Sequence, residues 1–318
     1  MKPIACMIAL SLPVLGIAPA LAQYPTRAVR LIVPYAAGSQ TDTVARFVQP
    51  QLSAELGQPI IIDNRPGAGG NLGAELAAKA PADGYTVVLA NISNAISMTL
   101  YSRPGYDLVK DFAPVMLVAS GSFTLATHPS LPAKSVKELI AFARKRPGAI
   151  NVATAGAAIQ VAAKLFDSMT GIRTTEVAYK STPQAITAVI SGEASFGFPA
   201  TSSAIPHART GKLRALAVTS TQRSSMAPDV PTVAESGVPG YEVAPWYGLM
   251  VPLRTPQEIT ARLYAATVNS LGHPEVKKRF GTTDIEAIGS TPEQLGAYVR
   301  GEVTKWAKVI KDSGMRAE

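Results

Sequence analysis

From Arg30 onward the chain repeatedly sets a short β-branched or apolar run ahead of an amphipathic stretch. The runs are Leu31 to Pro34, Ile60 to Asp63, Thr86 to Ala90, Ile150 to Ala153, Glu176 to Ala178 and Leu213 to Thr219. A run too short for a helix, followed by apolar residues at helical spacing, is the pattern of a β-α unit. The chain therefore predicts an α/β fold built on a largely parallel sheet. Helix openings are marked where Ser135 precedes Glu138, Thr255-Pro256 precedes Glu258 and Thr291-Pro292 precedes Gln294, each predicting a capping box. After Ser135, the residues Val136, Leu139, Ile140 and Ala143 fall on one face. The last helix places Leu295, Val299, Val303, Trp306 and Ile310 together before Gly314. Both faces read as core.

Shifts in composition near Ser120 to His128 and near Thr219 to Pro231 set a central block apart from its flanks. They predict one lobe from residues 23–121 and 224–318, a second from 122–223, and a double crossover between them. In such an arrangement the C-terminal ends of strands and the starts of helices floor a cleft, where open α/β sheets bind ligands.

The amino terminus sets the compartment. Lys2 precedes an apolar run from Ile4 to Ala18, and Ala20-Leu21-Ala22 supplies the small residues of a secretory cleavage site, so residues 1–22 read as a signal peptide with cleavage at about Ala22. The run is short for a membrane span and contains Pro13. The only cysteine, Cys6, lies inside this leader, which leaves the exported chain without a thiol, a disulfide or a cysteine metal ligand. A formal charge of +8 admits an anionic ligand or a nucleic-acid surface. The basic groups Arg144-Lys145-Arg146 and Lys277-Lys278-Arg279 lack interleaved aromatics and read as solvated helix ends, which argues against nucleic acid.

The loop chemistry points to a small anion. The first strand ends in Tyr35-Ala36-Ala37-Gly38-Ser39-Gln40-Thr41-Asp42 and runs straight into a helix. The unpaired donors of a first turn and the positive end of the helix dipole suit a carboxylate or phosphate, with the Ser39 and Thr41 hydroxyls as further donors and Asp42 serving the dipole. Asn91 and Ser93 follow the third strand. In the central block, Thr154-Ala155-Gly156-Ala157 and Tyr179-Lys180-Ser181-Thr182 make two similar turns, with Lys180 a point charge for an anion. Asn64 to Gly73 approaches a dinucleotide fingerprint, but Leu72 takes the place of its last glycine, so the segment reads as a tight loop into a helix. His128, His207 and His273 are far apart and beside prolines, and neither a nucleophile elbow nor paired metal-ligand spacing is present. No cofactor and no enzymatic activity are expected.

Several segments carry a family resemblance: YPTRAVRLIVPYAAGSQTDTVAR, IIIDNRPGAGGNLGAELAAKAPADGYT, PAKSVKELIAFARKRPG, DVPTVAESGVPGYE and WYGLMVP, in this order along the chain. The chain resembles the Bug-type periplasmic solute-binding receptors of tripartite tricarboxylate transporters. The resemblance implies a two-lobe, type II periplasmic-binding-protein fold, an organic carboxylate as ligand and two membrane subunits as partners, and a monomer is the default expectation. It also implies that the ligand carboxylate is held by Tyr35 to Asp42, Thr154 to Ala157 and Tyr179 to Thr182. The chain departs from the family pattern at Ser39 and Ser181, each where glycine is common. It departs again at Gln160, where histidine is frequent, in a loop from Gly156 about two residues short, and at Pro199-Ala200, where an aspartate is often found. Those changes leave a less polar distal pocket, suited to an aromatic or short aliphatic acid rather than an amino acid. Two other functions compete: an orphan receptor feeding a sensor kinase, and a periplasmic hydrolase or isomerase.

Overall fold

The computed structural model describes residues 24–316, so the leader and Cys6 lie outside the described residues. In chain order the elements are β1 (Val29–Val33), α1 (Gln40–Leu56), β2 (Ile60–Asn64), α2 (Asn71–Ala78), β3 (Thr86–Asn91), α3 (Ile92–Leu100), β4 (Phe112–Ser120), β5 (Thr124–Thr127), α4 (Val136–Arg144), β6 (Asn151–Thr154) and α5 (Ala157–Thr170). They continue with β7 (Thr175–Ala178), α6 (Thr182–Ser191), β8 (Phe196–Gly197), α7 (Thr201–Arg209), β9 (Arg214–Val218), β10 (Trp246–Pro252), α8 (Gln257–Gly272), α9 (Pro274–Phe280), β11 (Glu286–Ala287) and α10 (Pro292–Ser313).

Two sheets organise these elements, one ordered β11-β4-β10-β3-β1-β2 and the other β7-β6-β8-β5-β9. The expectation of a largely parallel sheet is corrected here. β1 runs parallel to β2 and β3, but β10 enters antiparallel between β3 and β4, and β5 is antiparallel to both its neighbours. Every residue of β10 is buried. A wholly apolar run such as Trp246 to Pro252 carries no alternation, and so no clue to the direction of its partners.

The chain leaves the first sheet after Ser120, enters the second at Thr124, and returns to the first at Trp246. Before returning it runs along the second sheet. Val218 bridges Thr232, the Val243 N–H donates to the Thr219 carbonyl at 3.0 Å, and the Tyr241 hydroxyl donates to the Ala162 carbonyl at 3.0 Å. Tyr241 meets Phe166 edge-on at 5.9 Å, within an aromatic cluster completed by Phe196 and Phe198.

Side chains cap α1, α3, α4, α6, α9 and α10, whereas α2, α5, α7 and α8 begin without one. Thr291 and Gln294 form the expected capping box; at Ser135 only half of it forms, Ser135 Oγ accepting the Glu138 N–H at 3.2 Å while Glu138 Oε2 accepts the Lys134 N–H at 2.7 Å. The box expected at Thr255 and Glu258 does not form. Thr255 Oγ1 instead donates to the Pro252 carbonyl at 2.7 Å, and α8 begins after Pro256 with no side-chain cap. The buried side of α10 packs against α3, β4 and α5, placing it against elements of both sheets. Trp306 and Ile310 on this face are core, as their spacing predicts.

Candidate ligand-binding site

β1 and β3 are parallel neighbours, so both deliver their C-terminal ends to the same edge of the first sheet. From Val33 the chain turns through Tyr35, Ala36, Ala37, Gly38 and Ser39 into α1. Gly38 adopts φ +81°, a conformation that favours glycine, and its N–H donates to Asp42 Oδ2 at 2.9 Å. Ser39 caps the helix by accepting the Asp42 N–H on its Oγ at 3.2 Å. Asn64, at the end of β2, donates through Nδ2 to the Tyr35 carbonyl and to Asp42 Oδ1, both at 3.0 Å. Arg46 Nε donates to Asp42 Oδ2 at 2.8 Å. Burial by itself would raise the Asp42 pKa, and the hydrogen bonds from Arg46, Gly38 and Asn64 outweigh it, holding the carboxyl below its ordinary range. The buried Asp42 thus has its oxygens turned inward on the loop, a framework role consistent with its place in the first turn.

A second clamp joins this loop to β3. Asn91 Oδ1 accepts the Tyr35 hydroxyl and the Ser93 N–H, each at 2.8 Å, while Asn91 Nδ2 donates to Thr41 Oγ1 at 2.9 Å. Burial pushes the Tyr35 phenol well above its ordinary pKa, so it stays a neutral donor. Its ring lies on Gly70, where an added Cβ would come within 2.6 Å of the phenol oxygen. This close approach explains Gly70 without a dinucleotide. Ala36, Ala37 and Gly38 remain exposed, and the N–H groups of Gln40 and Thr41 have no hydrogen-bond partner among the described residues.

On the second sheet, β6 and β7 run parallel with Thr154 opposite Ala178. Thr154 is fully buried, and its hydroxyl donates to Glu176 Oε1 at 2.8 Å. The Tyr179 N–H donates to the Thr154 carbonyl at 2.8 Å, and its hydroxyl to Glu193 Oε1 at 2.9 Å. Ser181 caps α6 through the Gln184 N–H at 3.4 Å. Lys180 is exposed beside an open hollow of about 610 Å³ that Tyr179, Gln184 and Glu193 also line. Gly156, at φ +78°, opens α5 without a side-chain cap, and the N–H groups of Ala157 and Ala158 have no partner among the described residues. Behind them Ala155, Ile159, Ala185, Phe198 and Pro199 line a small apolar recess.

The expected residues therefore separate into two kinds. Gly38, Ser39, Thr41, Asp42, Asn91, Thr154, Tyr179 and Ser181 spend their polar atoms or their buried surface on the loops themselves, whereas Ala155, Gly156 and Ala157 present backbone. Sequence reasoning missed Asn64 as a tie and Gln40 as a partner, whose Oε1 accepts the Tyr247 hydroxyl at 3.2 Å. Their partners lie 22 and 207 positions away, beyond any local spacing. His128, His207 and His273 stand at a strand end, in the last turn of α7 and at the cap of α9, as their neighbouring prolines predict.

Residues 44–315 match the family described as the tripartite tricarboxylate transporter family receptor. The chain belongs to this receptor family. Protein BugT of Bordetella pertussis is 33% identical over 297 residues, which cover 92% of this chain and 91% of BugT. A Rhodopseudomonas palustris protein solved with adipate superposes with a TM-score of 0.79 at 35% identity, covering 92% of this chain and 99% of that one. MatC from the same organism, solved with bound malate, gives 0.76 at 31% identity, with 90% and 100% covered. The receptor shares with such relatives the two-lobe, type II periplasmic-binding-protein fold, in which the chain crosses twice between lobes.

Proposed function

We propose that this receptor captures a small organic carboxylate between its lobes in the periplasm, closes on it, and presents it to the membrane subunits of a tripartite tricarboxylate-type transporter. The observation that carries this reading is the pair of helix openings, at Gln40 and Thr41 and at Ala157 and Ala158, whose N–H groups have no partner among the described residues, at the C-terminal ends of parallel strands. Such openings favour negative charge by their free donors and by the helix dipole. Adipate and malate in the related structures support a carboxylate as the class. We place the first lobe around the first sheet and the second around the second, with the return crossing close to Pro245.

Pro199-Ala200 and Gln160, in place of acidic and imidazole groups, favour an aromatic or short aliphatic acid over an amino acid. Binding is the whole of the chemistry in this reading. A micromolar affinity corresponds to about 8 kcal/mol, within reach of a few charge-assisted hydrogen bonds in a site that excludes water. Titration calorimetry with benzoate, adipate, malate and glutamate tests the assignment. Binding of the first three ahead of glutamate, with the acid recovered unchanged, is the expected result. Preference for glutamate or aspartate overturns the ligand class, and conversion of the bound acid overturns the receptor reading. Pull-down of membrane subunits against a sensor ectodomain decides between transport and signalling.

A further inference from the structure

Asp284 sits in the turn between α9 and β11, and only 4% of it is exposed. Both of its carboxylate oxygens are buried and without a hydrogen-bond partner among the described residues. A buried carboxylate in that state is expensive unless something satisfies it. Besides its own N–H, the groups that face it are the Ser202 hydroxyl, the Ser202 N–H and the Ser122 N–H, which pull its pKa down without completing a hydrogen bond to it. Burial is the larger effect and leaves the carboxyl above its ordinary value.

These donors belong to the other side of the molecule. Ser122 lies in the outward crossing between β4 and β5, and Ser202 in the first turn of α7. That helix starts at Ala200 with no side-chain cap. The Thr201 N–H is taken by the Ser122 carbonyl at 3.1 Å and the Ser203 N–H by the Ala200 carbonyl at 2.9 Å, which leaves the Ser202 N–H open. A hollow of about 210 Å³ adjoins the same crossing, and Asp284, Ser122, Arg223 and Glu286 line it. Facing donors of the N–H and O–H kind satisfy an anion and oppose a cation, so the carboxylate does not mark a metal site.

We infer that Asp284 is the missing cap of α7, engaged across the crossing when the lobes close on ligand, so that it draws the receptor toward its closed form. The inference rests on the proposed ligand capture. A group that binds only in one state shifts the equilibrium toward that state and raises apparent affinity by the same factor. Asp284 is a positioning residue here, acting through the relative placement of the two lobes.

The charged and titratable neighbours are few. Tyr247 on β10 is neutral, its pKa raised by burial and by Asp284 itself. Arg223, on the return segment, is held by Glu235 with Nε to Oε2 at 3.0 Å, and Glu286 on β11 is exposed. Capping by Ser202 stabilises the charged carboxylate, so closure lowers its pKa and sheds any proton it carries. Affinity then falls on acidification.

The test places spin labels at Ala54→Cys on α1 and Thr187→Cys on α6, both exposed, in a chain with no cysteine after Cys6. Label separation and calorimetry are read with adipate, malate and benzoate, in backgrounds with Asp284, Asp284→Asn and Ser202→Ala. With Asp284 present, a bound acid shortens the separation and its affinity falls with acidification. Asp284→Asn leaves unliganded separations unchanged, needs about tenfold more acid to close, and loses that pH dependence. Ser202→Ala gives a smaller loss and keeps the pH dependence. Equal affinity, closure and pH profile in Asp284→Asn overturn the inference while the receptor reading stands. Failure of the protein with Asp284 to bind any of the three acids overturns both.

Discussion

The Gly38 N–H and the Asp42 carboxylate are hydrogen-bonded at 2.9 Å, so the residue in the first turn of α1 also holds the loop that leads into it. The donor that sequence offers to a ligand is in fact spent inside the loop. What remains for an anion are the amides one step further on, at Gln40 and Thr41.

Replacing Asp42 with Ala strands the Gly38 N–H, one Asn64 donor and Arg46 together. Unfolding free energy should drop by about 2–3 kcal/mol, from a partner removed inside a buried network, and affinity for the bound acid should fall at least tenfold. Denaturant unfolding and calorimetry check the two effects. Because the folded pKa of Asp42 is lowered, its contribution is full above the unfolded carboxyl value near about pH 4 and disappears as pH falls through the folded value. The stability gap between the two proteins should be flat near neutrality and narrow only in acid.

Gly38→Pro cannot adopt φ +81° and lacks the N–H that Asp42 accepts. Ligand affinity should collapse while far-ultraviolet circular dichroism stays that of the native fold. An unchanged affinity would show that this loop takes no part in capture.

Asn91→Ala removes the acceptor of the Tyr35 hydroxyl, the donor to Thr41 and the cap of α3 at one stroke. A loss of about 1–2 kcal/mol in stability is expected from the cap and the orphaned groups. Hydrogen exchange should show the Tyr35 to Ser39 amides freed ahead of the β-sheet amides.

Glu302 tests the hub far from the ligand loops. It is 3% exposed and accepts the indole N–H groups of Trp246 at 3.0 Å and Trp306 at 2.9 Å, with Lys305 beside it. Glu302→Ala leaves two buried indole donors unpaired and should cost about 3–5 kcal/mol. A lowered melting temperature with altered tryptophan emission, at nearly unchanged affinity for the folded fraction, is the expected outcome.

The strands from Leu31, Ile60 and Thr86, the helix after Ser135 and the capping box at Thr291 were all legible in the chain, since each depends on neighbours within a few positions. The family resemblance, carried by long ordered segments, was legible too. The antiparallel β10 was not, because a seven-residue buried run reads the same in either direction. Nor was the path of residues 232–243 along the second sheet, which depends on Tyr241 finding the Ala162 carbonyl 79 positions away. At the candidate site, the sequence named loops that stand at the ends of parallel strands and left the use of their side chains undecided.

Local chemistry by itself determined where most helices open and where glycine is obliged to turn the chain. Tertiary structure alone decided which polar atoms are consumed in holding loops and which stay free, because Asn64, Asn91 and Asp284 acquire their neighbours only when distant strands and helices are brought side by side. Hydrogen bonds act over about 3 Å of space and ignore separation along the chain, and burial then fixes whether a group left without a partner can persist.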